Sequence, residues 1–310
     1  MSKKKVIIDT DPGYDDACAI AIAALSDNIE IIGITAVAGN QTIEKVSKNA
    51  LNISSYFNIN CTVAKGMGGP LLKPLKVALV HGESGLDNIN LETNNPKKEL
   101  DKRHAVNLII DLCLENDKVT IIAIGPLTNI AMALKLEPKI ISHIELISIM
   151  GGSINLGNVT PSAEFNIYGD PEAAQIVFSS GVKEIRMNGL DVTLKTNVDG
   201  KIVEKFKNIK TKSSELFLNC MKNCGDLCFK FFGVKYQAMH DAVAVVSVID
   251  DSVVKYKKVY VEVDINRGCS YGRTVCDIGG VLKKEPNVCV GVEIDVDKFW
   301  DIVEKAYKKF

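Results

Sequence analysis

The feature that most constrains this chain is an alternation, in which apolar runs of strand length take turns with segments of helical period. Val6 to Ile8, Ala17 to Leu25, Ile29 to Thr35 and Thr42 to Phe57 read as strand, helix, strand, helix. The pattern resumes with a helix over His104 to Glu115, a strand over Val119 to Ile124, a helix over Leu127 to Leu136 and a strand over Ile144 to Met150. A helix at Pro171 to Phe178 and a strand at Glu184 to Met187 continue it. Several of these strands are apolar throughout, as strands covered by helices on both faces must be.

The expected fold is therefore α/β and Rossmann-like, a doubly wound, mostly parallel sheet with helices on both faces. Two regions break the alternation. Lys65 to Leu100 is rich in Gly, Pro, Asn and Ser, and Gly151 to Gly169 is the second; loops this long in a compact domain usually serve function. The last third adds helices near Ser213 to Cys228 and Asp241 to Ile249, then strands at Lys257 to Val263 and Thr274 to Asp277. Its helices are expected to form a small cap over the sheet. No linker separates them, so residues 1–310 are read as a single domain.

Composition excludes several classes of function. Thirty-seven Lys and Arg against 38 Asp and Glu leave a formal charge of -1, too little to hold nucleic acid or an anionic membrane. A small, weakly charged substrate fits better. The longest apolar runs, such as Ala242 to Ile249, fall far short of the roughly 20 residues of a membrane span. In MSKKKVIIDTDPG the basic start is followed by only Val6, Ile7 and Ile8 before Asp9, so it reads as a solvated lead into a strand and not as a signal peptide. Nine cysteines, an odd and scattered count, suit reduced thiols in a cytoplasmic protein. Cys220, Cys224 and Cys228 would share one helix face, where cysteine acts as a small apolar residue.

Ligands of a parallel sheet bind beyond the carboxyl ends of its strands, and here those ends are polar and rich in glycine. The first strand runs into Asp9-Thr10-Asp11-Pro12-Gly13-Tyr14-Asp15-Asp16, the second leads to Gly39-Asn40, and the Val119 strand ends in Gly125-Pro126-Leu127-Thr128-Asn129. The Ile144 strand ends in Met150-Gly151-Gly152, and the next in Asn188-Gly189-Leu190-Asp191. Asp9, Asp11, Asp15 and Asp16 would repel one another without a hard divalent cation. Calcium, which takes several oxygen ligands, is preferred to magnesium, because no phosphate cradle is present. Helix capping by Asp15 and Asp16 is the simpler alternative. His240-Asp241, at the start of an apolar helix, and His81 in HGESG complete the candidates; an N-capping Asp with a bystander His is the plain reading of the first pair.

With those residues in view, the chain resembles the inosine-uridine nucleoside hydrolase family, whose signature DTDPGxDDA matches Asp9 to Ala17 throughout. Further matches follow in the family's order: Gly39-Asn40, His81 to Gly85, Gly125 to Asn129, Met150 to Gly152, Ala163 to Asn166, Asp170 to Ala174 and His240-Asp241. The resemblance implies one calcium per chain, held by Asp11, Asp16, Asp241 and the backbone carbonyl of Ile124. It implies that Asp11 takes a proton from the water that attacks ribose C1′, and that His240 protonates the departing base. Asp15 and Asn40 would contact ribose hydroxyls with Asp9 in support, Met150, Asn158, Glu164 and Asn166 would hold the rest of the sugar, and His81 would line the base pocket. A homodimer or homotetramer is also expected.

Ala242 stands where many members have Pro after the His-Asp pair, which leaves the ligand intact. Phe229, Phe231, Phe232 and Tyr236 could neighbour a base, although core packing is the expected fate of most of them. Purine or pyrimidine preference stays open. Two rivals are a phosphatase-like enzyme built on the Asp9/Asp11 pair and a non-catalytic binder of calcium and nucleoside.

Overall fold

The computed structural model describes residues 3–92, 98–233 and 237–310. The chain opens with β1 (Lys4–Thr10), α1 (Tyr14–Ala24), β2 (Ile29–Ala36), α2 (Ile43–Tyr56) and β3 (Thr62–Lys65). After a long loop come α3 (Ala105–Glu115), β4 (Val119–Ala123), α4 (Thr128–Leu136), β5 (Ile144–Met150), α5 (Phe165–Gly169), α6 (Pro171–Phe178) and β6 (Ile185–Asn188). The last third holds α7 (Leu190–Thr193), α8 (Gly200–Ile209), α9 (Lys212–Phe232), α10 (His240–Ile249), β7 (Val254–Val259), β8 (Val261–Val263), β9 (Thr274–Cys276), β10 (Val288–Ile294) and α11 (Val296–Tyr307).

The main sheet has eight strands in the order β3-β2-β1-β4-β5-β6-β10-β7. All neighbours pair in parallel except β7, which runs antiparallel to β10 at the edge. Side chains of β1 show how the layers form: Val6 and Ile8 point into an apolar cluster with α1, α2, α10 and α11, while Ile7 points into a second cluster with α3, α4 and α6. Period-two alternation thus gives each sheet face its own helical layer. The doubly wound expectation holds.

Outside the alternation, α8 and α9 pack on α11 and α1 through Phe206, Phe217, Trp300 and Tyr307, whose rings meet at 4.1 Å for the first pair and 5.5 Å between Phe206 and Tyr307. The Thr211 side chain caps α9 by accepting from the Ser214 N–H, and Gly233, at φ 73°, ends it in the left-handed conformation that glycine adopts without steric cost. Among the described residues no helix is long and apolar enough to cross a membrane.

Two readings change. Lys257 to Val263 is not one strand: the chain breaks at Tyr260, so β7 joins the main sheet and β8 pairs with β9 in a separate two-stranded sheet. The expected core packing of the cap aromatics also fails. Phe229, Phe231 and Phe232 are 56%, 43% and 63% exposed at the end of α9, and Tyr236 lies outside the described residues. Among the described residues nothing buries these rings in the last turn of the helix. Cys220, by contrast, is buried in the same apolar cluster as Cys18 of α1.

Candidate active site

Strand order reverses between β1 and β4, and at such a point the loops after the two strands part and leave a crevice. The Ile124 N–H still bonds the Asp9 carbonyl at 2.8 Å, and the Val37 N–H the Thr10 carbonyl at 3.0 Å; beyond these the chains diverge. The Asp11 carboxylate fills the gap. A Cβ at Gly39 would run into its Oδ2, and one at Gly125 would crowd its Oδ1, so both glycines are there to let neighbouring backbone press against this side chain.

Hydrogen bonds hold the acidic turn rigidly. Asp16 accepts from Thr10 Oγ1 at 2.6 Å, from the Gly13 N–H at 2.9 Å and from Asn40 Nδ2 at 3.1 Å. It therefore caps α1 and faces the crevice at once; the capping alternative and the site reading are not exclusive. Asp11 Oδ2 accepts from the Asn40 N–H at 2.6 Å, and the Asp11 carbonyl from Asn40 Nδ2 at 3.1 Å. Asp9 Oδ1 accepts from Thr35 Oγ1 at 2.6 Å and from Asn129 Nδ2 at 2.8 Å. Among the described residues, three carboxylate oxygens, Asp9 Oδ2, Asp11 Oδ1 and Asp15 Oδ1, are buried and make no hydrogen bond.

So much burial displaces every carboxyl upward, because the ionised form loses its water. Asp9 is pushed up to about 7 by burial, and Asp16 to about 6 by burial and by the charge of Asp15. Asp11 and Asp241 are driven well above the ordinary range, first by burial and then by the neighbouring aspartates. Asp15 is raised by burial as well. Such a cluster suits a hard cation. Among the described residues, Asp15, Asp16 and Asp241 form the group whose oxygens lie within 4.8 Å of one another.

The set expected to hold calcium is thus only partly gathered. Asp16 and Asp241 come together with Asp15 as their third member, and Asp11 is near enough for its charge to act on Asp241. The Ile124 carbonyl accepts from Asn166 Nδ2 at 3.2 Å. An all-oxygen donor set with unsatisfied buried oxygens fits a hard divalent cation. Asp241 is the second residue of α10 and does not cap it; the N-cap position belongs to Met239.

Both histidines reach the same crevice. His81 Nδ1 accepts from the Tyr14 N–H at 3.2 Å, its ring stacks on Tyr14 at 5.8 Å, and its Nε2 lies 4.0 Å from Asp15 Oδ1. Burial pulls its pKa down to about 4. His240 Nδ1 lies 2.8 Å from Thr193 Oγ1, and burial lowers its pKa too, opposed by the Asp15 charge. On the far wall, Asn166 Nδ2 also bonds the Met150 carbonyl at 3.1 Å, and Glu164 accepts from the N–H groups of Gly152, Asn166 and Ile167 at 2.9, 2.9 and 3.1 Å. Glu164 is pushed up to about 7 by burial. Asn158 is exposed, and its Oδ1 accepts from the Phe165 N–H, between Glu164 and Asn166, at 2.9 Å.

Sequence reasoning assigned no part to Thr10, Thr35, Asn129 or Thr193. Asn129 bridges Asp9 to the Ala36 carbonyl at 3.0 Å and accepts from the Met67 N–H at 2.9 Å. Its place in the loop and helix start that follow β4, within Gly125 to Asn129, was the available signal.

Known proteins resemble this chain over nearly its whole length. The family described as inosine-uridine preferring nucleoside hydrolase matches residues 6–301. The pyrimidine-specific ribonucleoside hydrolase RihB of Escherichia coli (strain K12 / DH10B) is 42% identical over 312 residues, covering 100% of this chain and 99% of that protein. Among solved structures, the plant nucleoside hydrolase PpNRh1 superposes with a TM-score of 0.91 at 29% identity over 100% of both chains. The purine-preferring ribonucleoside hydrolase from Gardnerella vaginalis gives 0.89 at 31% identity, covering 98% of each.

Proposed function

Because the chain belongs to the inosine-uridine preferring nucleoside hydrolase family, we propose that its crevice hydrolyses the N-glycosidic bond of pyrimidine ribonucleosides for nucleoside salvage, with one calcium ion per chain. That it is a ribonucleoside hydrolase is common ground with its relatives. The pyrimidine preference is supported by full-length identity to pyrimidine-specific enzymes. The observation that carries the site is the pair of unpartnered buried oxygens, Asp11 Oδ1 and Asp15 Oδ1, beside the Asp16 and Asp241 carboxylates.

Asp11, Asp16, Asp241 and the Ile124 carbonyl would hold the ion, with Asp15 alongside. A bound calcium would supply positive charge that neutralises the cluster and makes a nearby water more acidic. Asp11 takes the proton of the attacking water; its Oδ2 is fixed by the Asn40 N–H, which leaves Oδ1 to receive it. Asp15, Asn40, Asn158, Glu164, Asn166 and the Met150 carbonyl orient the ribose. As the bond to the base breaks, positive charge grows on the sugar, and these carboxylates and carbonyls stabilise it. His240 donates a proton to the departing base, and His81 lines the base pocket. Two histidines next to a ribose site are more than a phosphatase or a silent binder would need.

The same reading makes the protein cytoplasmic, in keeping with its free thiols, and a homodimer or homotetramer, for which exposed Leu156 (74%) and Val281 (80%) offer apolar surface. Light scattering measures the assembly. The deciding experiment incubates the protein with uridine, cytidine, inosine, adenosine and 2′-deoxyuridine and measures released base. Uridine and cytidine should lead, and 2′-deoxyuridine should lag far behind, since a hydroxyl-binding site left unpaired costs the reaction heavily. Equal rates on uridine and 2′-deoxyuridine would remove the sugar role of Asp15.

A further inference from the structure

His240 is the first residue of α10, and a residue at a helix start needs something besides its own helix to fix its ring. The neighbouring segment supplies it. Residues 193–198 run alongside 237–240: the Val198 N–H bonds the Gln237 carbonyl at 2.8 Å, Asn197 and Ala238 form an antiparallel bridge, and the Met239 N–H bonds the Thr196 carbonyl at 3.3 Å. Thr196 Oγ1 ties both sides, reaching the Thr193 carbonyl at 2.8 Å and the Met239 carbonyl at 3.3 Å. This seam delivers the fully buried Thr193 to the imidazole, 2.8 Å from Nδ1.

We propose that Thr193 is a positioning residue for His240, holding Nδ1 so that the ring presents its other nitrogen to the departing base; this rests on the reading of His240 as proton donor. A threonine hydroxyl that donates to Nδ1 leaves the proton of a neutral imidazole on Nε2, the tautomer that a donor to a leaving group needs. Among the described residues the Thr193 hydroxyl meets His240 and makes no hydrogen bond to an aspartate. Valine is isosteric with threonine, so Thr193→Val removes the hydroxyl and little else.

The test compares Thr193→Val, Thr193→Ser, His240→Ala and the Thr193→Val/His240→Ala double variant on uridine and on p-nitrophenyl riboside, whose phenolate leaves without an acid. Loss of one buried hydrogen bond predicts a fall in kcat of about tenfold on uridine with KM unchanged, and almost none on the nitrophenyl riboside. Thr193→Ser should restore turnover. In the His240→Ala background, Thr193→Val should cost nothing more, since a residue that acts through His240 has no effect without it. Losses that multiply in the double variant, or an equal loss on both substrates while His240→Ala stays selective, would overturn the positioning role alone. A uniform loss in His240→Ala itself would overturn the proton-donor reading, and this proposal with it.

Discussion

Asn129 and Asp11 show how differently two polar residues of one crevice can be used. Asn129 bonds Asp9, the Ala36 carbonyl and the Met67 N–H with one side chain, so Asn129→Ala takes a partner from each of three groups, of which Asp9 Oδ1 keeps Thr35 Oγ1. Each such group costs about 1–3 kcal/mol, and a loss of about 3 kcal/mol in unfolding free energy is expected by urea titration. A loss below about 1 kcal/mol would mean that water replaces the amide. Asp11→Asn should leave stability nearly intact and cut kcat by about 10²–10⁴ on uridine and on p-nitrophenyl riboside alike, because both need the same attacking water. Retention of turnover on the nitrophenyl substrate would move the base elsewhere. The carboxylates were legible in the sequence because clustered acids demand an explanation. Asn129, Thr35 and Thr193 were not, since a lone amide or hydroxyl within a strand or helix makes no pattern of its own, and its partner lies far along the chain.

At the scale of elements, the loop after β3 is bound to the acidic turn largely through side chains that seize backbone carbonyls. Asn49 of α2 donates to the Pro12 carbonyl at 3.1 Å and to the Ser84 carbonyl at 2.8 Å, Gln41 to the Gly82 carbonyl at 2.8 Å, and Tyr14 Oη to the Asp87 carbonyl at 3.1 Å. Asn49→Ala should free this loop over the crevice: faster amide exchange in residues 82–90 and a KM raised about threefold to tenfold, with kcat less affected. Unchanged exchange in that segment would show that Tyr14 and Gln41 suffice. That the loop matters was readable from its length and its HGESG; that α2 holds it was not. Most helices and strands up to β6 were legible within two or three residues, because their apolar periods are local, but the four-residue β3 and the five-residue α5 are too short to show a period and were not read. The pairing of β10 between β6 and β7, and the break at Tyr260, depend on contacts between distant segments and leave no local pattern.

For the whole molecule, the buried carboxyls set how stability depends on pH. Asp9 and Glu164 sit near about 7 and Asp16 near about 6, against ordinary values of 3.8 for aspartate and 4.5 for glutamate. The folded chain therefore holds these protons more tightly than the unfolded one. Without a cation its stability should fall as pH rises from about 4 through these folded values, and level off above them. A cation binds the ionised cluster, so the stabilisation it adds should grow over the same interval. Thermal melting with and without calcium at pH 5 and pH 8 measures this; an equal calcium shift at both would sink it. The sheet order carries a last consequence, for synthesis. As β10 is the last strand in chain order yet lies inside the sheet, a ribosome has translated every other strand while β6 still presents an open edge and β7 has no place to dock. The nascent chain must keep that edge from its neighbours on the polysome until residues 288–294 emerge, so a prematurely terminated product lacking them is marked for chaperones and proteases by an unfilled slot in the sheet.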